Sequence, residues 1–137
     1  MNSRERVMTA LKHREPDRVP IDLGSSHNCA IHIDAYLELR KYLGIKGVYY
    51  RKFIDVVMQV VCPEEEVLKK LGIDTRGITY AAPRNWRLQF FQKGNRQLFT
   101  NEYGVVWQKP NDGYYFDLAL HPLEKATREE IKAYCQY

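Results

Sequence analysis

The chain has 137 residues, with 21 Lys and Arg against 17 Asp and Glu, a net charge of +4. No dense basic block alternates with spaced aromatics, which argues against a nucleic-acid partner. The longest apolar stretch, Val56 to Cys62, is interrupted by Gln59 and is too short to span a bilayer, so no membrane partner is expected either.

The opening residues contain no charged-then-apolar leader. Cys29, Cys62 and Cys135 are odd in number and widely spaced, which suits reduced thiols in the cytoplasm. Asn2, with Glu5 three residues on, predicts a boxed helix start. Val7, Met8 and Leu11 fall on one face of that helix, with Arg4, Arg6, Lys12 and Arg14 expected in water. Pro16 cannot continue the helix and biases Glu15 toward an extended conformation. Val19, Pro20, Ile21 and Leu23 then read as a buried strand ending at Gly24.

A polar loop, Ser25 to His32, leads to a second helix from about Ile33 to Leu43, stopped by Gly44. The third helix is expected to carry Pro63 at its first position. Glu64 to Glu66 then lie at its positive end, Lys69 and Lys70 at its negative end, and Gly72 follows as the stop. After Asp74 the rhythm shortens. Arg76 to Tyr80, Leu88 to Gln92, Gln97 to Thr100, Val105 to Lys109 and Tyr114 to Leu118 are β-rich and separated by turn residues, predicting an antiparallel meander. Thr127 and Glu130 box a last helix through Ile131 and Tyr134. No repeat or interdomain linker is visible, so the reading is one continuous unit.

The capped helix, the EPDRVP turn and the VPIDLG segment form a specific combination. With Tyr36–Gly44 (YLELRKYLG), Pro63–Arg76 (PEEEVLKKLGIDTR), Asn101–Trp107 (NEYGVVW) and His121–Tyr134 (HPLEKATREEIKAY), it resembles the uroporphyrinogen decarboxylase-like superfamily from end to end. That superfamily also holds cobalamin-dependent methyltransferases, and the resemblance is strongest on that side. It implies an α/β fold: the amino-terminal part of a (β/α)8 TIM barrel, with helices and an inserted antiparallel β-meander. Such barrels need on the order of 200 residues or more. The chain is therefore expected to be an incomplete barrel, inactive alone, from a full-length methyltransferase or carboxy-lyase. The resemblance places the zinc of the methyltransferases, held by a His-x-Cys pair and another Cys, in the later half of the fold. A corrinoid protein and a methyl-carrying or other small-molecule substrate are the implied partners; no metal or cofactor is expected within these residues.

Asp22, at the end of the first expected strand, and the loop through His32, with His27 in it, are the best pocket candidates in a barrel. Bracing of the loop by Asp22 is the plainer alternative. His27 and Cys29 are zinc-ligand types, but two ligands do not make a site. Asp55 and Gln59, four apart in an apolar segment, share a face in a helix or a strand, with a structural hydrogen bond as likely as a substrate contact. True porphyrin decarboxylases follow the first strand with arginines that grip propionates, whereas here no arginine follows until Arg40. Thr75 to Ala82 also lacks the aspartate those enzymes carry. Porphyrin decarboxylation and a self-contained interaction module with an exposed strand edge are the competing readings.

Overall fold

The computed structural model describes residues 1–79, 81 and 83–134. They fold as two compact units, Met1–Tyr80 and Ala81–Tyr137. Cys135, and the ends of the expected Arg76–Tyr80 and Thr75–Ala82 segments, lie outside the described residues.

In the first unit, α1 (Ser3–Leu11), α2 (Ile33–Tyr42) and α3 (Glu65–Lys70) share one way of ending. Each closes on a left-handed residue, His13, Gly44 or Gly72, with φ of 55°, 66° and 64°. The next amide then reaches back to a carbonyl five residues earlier: Arg14 to Thr9 (3.1 Å), Ile45 to Arg40 (3.0 Å) and Ile73 to Leu68 (2.9 Å). This geometry satisfies the orphan carbonyls of a helix end and places the following side chain against the last turn. Ile45 and Ile73 are accordingly buried. At the front of α1 the Asn2–Glu5 box is closed in both directions at 2.9 Å.

Helix α3 begins two residues later than its proline suggests. Glu64 has an extended backbone, and its N–H donates to the Tyr36 hydroxyl at 2.8 Å. That hydroxyl donates in turn to Glu64 Oε2 at 3.0 Å, and Arg40 Nε lies 2.6 Å from the same oxygen. Tyr36, Ile33, Ile45, Val61 and Val67 form the core of this unit, with Tyr49 set edge-on to Tyr36 at 4.9 Å.

The expected opening of a (β/α)8 barrel is not what the chain forms. Its strands make two antiparallel sheets, β1 (Ile31–His32), β3 (Val60–Val61) and β2 (Phe53–Asp55) in one, and a four-stranded sheet in the second unit. Among the described residues the fold is a small mixed one with four α-helices. Val19 to Leu23 forms no strand. Pro20 has no N–H to give, the Ile21 N–H goes to the Asp74 carboxylate at 3.0 Å, and Val19 is 79 % exposed. A run of apolar residues reports burial propensity, but a barrel strand needs a hydrogen-bonded neighbour on both edges.

The second unit holds β4 (Phe90–Lys93), β5 (Arg96–Thr100), β6 (Val106–Pro110) and β7 (Asp117–Leu120), in that spatial order. Phe90, Phe99, Trp107 and Leu118 are opposite one another across the four strands and so share a face. Phe116 packs edge-on against Phe99 at 4.9 Å. Helix α4 (Arg128–Tyr134) starts at the Thr127–Glu130 box, where the Thr127 N–H donates to Glu130 Oε2 at 2.6 Å. Among the described residues no helix is long and apolar enough to cross a membrane.

Candidate functional site

The EPDR turn and the LGID segment meet through charge. Arg6 is 8 % exposed, not in water as its place on α1 suggested. It donates to Asp17 through Nε (2.6 Å) and Nη2 (2.9 Å), and to Asp74 through Nη1 (2.6 Å). Arg18 donates to Asp74 at 2.7 and 3.1 Å and to the Gly72 carbonyl at 2.9 Å. The Asp74 side chain is completely buried. Hydrogen bonds from the Ile21 amide, Ser3, Arg18 and Arg6 outweigh its desolvation and hold it well below the usual carboxylate range.

The backbone follows these contacts. Asp74 N–H donates to the Ile21 carbonyl at 2.9 Å. Thr75 Oγ1 donates to Asp22 Oδ1. A Cβ added to Gly77 would lie 2.8 Å from Ser25 Cα, so those two backbones touch. The pairs 21 with 74, 22 with 75 and 25 with 77 advance together, so residues 21–25 and 74–77 lie side by side and run in the same direction.

On this pair sits a polar cluster centred on Asp22. Ser25 Oγ donates to Asp22 Oδ2 and lies 3.3 Å from Cys29 Sγ. The Ser26 N–H donates to the same sulfur at 3.2 Å, and Ser26 Oγ is 3.3 Å from it. The loop is tied by the Gly24 N–H donating to the Cys29 carbonyl at 2.9 Å. Gly24, at φ +79°, is pressed against the Pro63 ring, where a side chain would collide. Asp22 is exposed, so its carboxylate accepts from two hydroxyls and is still open to solvent. Burial raises its pKa, but hydrogen bonds from Cys29, Ser25 and Thr75 prevail and lower it. Burial and the Asp22 carboxylate push the Cys29 thiol up, and the Ser25 and Ser26 donors bring it below its ordinary value.

The other expected site residues are placed differently. His27 opens the 3-10 turn His27–Cys29 and is exposed. Asp55 Oδ1 accepts from the Met58 N–H at 2.9 Å, and Gln59, buried with φ 53°, donates from Nε2 to the Val56 carbonyl at 2.6 Å. Both therefore serve the turn between β2 and β3, and the Gln59 carbonyl also accepts from the Ile33 N–H. Ser25 and Cys29 belong to the loop expected near the pocket, whereas Thr75 joins the cluster without having been singled out. Thr75 had no sequence signal, because its partner is 53 residues away.

His27 and Cys29 do not fit a zinc site. Among the described residues no three His, Cys, Asp or Glu side chains converge to hold a metal ion, and the Cys29 sulfur is already engaged by serine donors. The neighbouring arginines are also committed: Arg18 to Asp74, and Arg76 to Glu65 at 2.7 and 3.0 Å. The chain matches no family model, no curated protein and no solved structure.

Proposed function

We propose that this chain supplies a small-molecule-binding segment of a uroporphyrinogen decarboxylase-like, methyl-transferring protein, with Asp22, Ser25 and Thr75 toward the ligand and no turnover of its own. The observation that carries the reading is the exposed Asp22 carboxylate, oriented by the Ser25 and Thr75 hydroxyls where two chain segments lie side by side. A carboxylate flanked by hydroxyls suits a small polar or cationic methyl carrier, as a hydrogen-bond acceptor or a countercharge. It suits a porphyrin poorly. A ligand with many carboxylates needs forked cationic donors, and both Arg18 and Arg76 are spent on carboxylates of the chain itself. Zinc or corrinoid chemistry, where the reaction requires it, belongs to other residues or to a partner protein.

The test is a proton–nitrogen NMR titration of the chain with trimethylamine, methanol and dimethyl sulfide, each separately, and with coproporphyrin. Saturable shifts at Asp22, Ser25 and Thr75 with a methyl carrier, lost in Asp22→Asn, are expected. Shifts at those residues with the porphyrin, or with none of the probes, contradict the reading. A second reading, an interaction module, draws on the exposure of every residue of β4 and β7; concentration-dependent sedimentation with no ligand response would favour it.

A further inference from the structure

We propose that Asp74 is the positioning residue of this site, holding the 21–25 segment in register so that Asp22 meets Ser25 and Thr75. The proposal rests on the reading of Asp22 as the ligand-facing group. Asp74 grips Ile21 at both ends of one peptide unit's reach, accepting its N–H at the carboxylate (3.0 Å) and donating its own N–H to its carbonyl (2.9 Å). The residues that follow each partner, Asp22 and Thr75, are the ones joined by the hydroxyl–carboxylate bond. Arg6 and Arg18 fix the carboxylate from two sides, one from α1 and one from the turn after it. A buried aspartate with three kinds of donor has a single orientation available, so it transmits the placement of α1 and of α3's end to the cluster. Asp74 touches no ligand; it acts through Ile21.

The readout is the pH profile of Cys29 alkylation by iodoacetamide, followed peptide by peptide with Cys62 as internal reference. The thiol faces the Asp22 carboxylate from the neighbouring segment and the Ser25 and Ser26 donors of its own turn. In Asp74→Asn the Cys29 midpoint should move away from its wild-type position, because the Asp22 carboxylate and the Ser25 hydroxyl that act on the thiol belong to the 21–25 segment. In Asp17→Asn, which also strips a partner from Arg6 but leaves Ile21 gripped, it should stay where it is in the wild type. An unmoved midpoint in folded Asp74→Asn overturns the proposal, as does an equal movement in Asp17→Asn, which would mean general loosening. Should Asp74→Asn fail to fold, hydrogen exchange of the wild-type chain decides. A protected Ile21 amide supports the grip, and exchange at the free-peptide rate overturns it. Neither measurement uses a ligand, so failure of the grip on Ile21 is told apart from an empty titration, which refutes the binding reading.

Discussion

Replacing Gly77 with alanine tests the contact on which the site depends. The new methyl would sit 2.8 Å from both Cα and O of Ser25 and 2.9 Å from the Gly24 carbonyl. Carbon contacts are comfortable at roughly 3.5 Å or more, so the methyl intrudes by about 0.7 Å. All three obstacles are backbone atoms and cannot rotate aside. Nor can the 24–25 backbone retreat freely, since Gly24 already abuts the Pro63 ring. Gly77 does not have a left-handed φ, so alanine carries no conformational penalty there and the effect reports the contact alone. Overpacking of this kind costs about 1–3 kcal/mol, and the stiffer unfolded chain returns about 0.4–1 kcal/mol. A net loss of about 1–2 kcal/mol is expected, read as a lower urea midpoint at unchanged m-value. A neutral or stabilising Gly77→Ala would mean that the two segments are not in contact, and the site geometry would fall with them.

Other consequences are separate from the site. Tyr36→Phe removes the acceptor of the buried-side Glu64 N–H and the donor to its carboxylate, and urea unfolding should show a loss of about 1–3 kcal/mol. His13→Gly relieves a left-handed, non-glycine helix end and should raise stability by up to about 1 kcal/mol, measured by thermal melting. Asp17, through hydrogen bonds from Arg6 and the terminal amine, and Asp74, through the Ile21 amide first, are both held below the ordinary carboxylate range. Folded values lower than unfolded ones give stability that is present above the unfolded value, about 3.9, and drains away as pH falls toward the folded values. Denaturant midpoints should therefore be flat near neutrality and fall below about pH 4; a loss that begins above pH 6 would contradict the pairing.

What the amino-acid sequence discloses here is local, and what it conceals is distant. Asn2 with Glu5 and Thr127 with Glu130 sit three residues apart, within one turn, so the boxes can be read directly. Gly44 and Gly72 mark helix ends because their conformation is left-handed. Arg6 looks like a solvated helix residue because the carboxylates that bury it are 11 and 68 residues away. Val19 to Leu23 carries a strand composition, but the Ile21 N–H goes to a side chain, the Asp74 carboxylate, and composition cannot specify that. Asp55 and Gln59 have the spacing of a shared face, which turn geometry overrode. At the candidate site, Asp22 was singled out as the end of a strand that the chain does not form, and its contacts with Ser25 and Thr75 come from the fold instead. Thr75 was not singled out, since only the folded chain brings it alongside.

The most direct examination of the account is a set of proton–proton NOEs in the isotope-labelled chain. Cross-peaks between the α-protons of Ser25 and Gly77, and between the Asp74 amide and Ile21, are predicted, because these segments lie side by side and point the same way. Their absence, with Ser25 and Gly77 instead showing NOEs only to their own sequence neighbours, would leave Asp22 without its Thr75 partner and contradict the site.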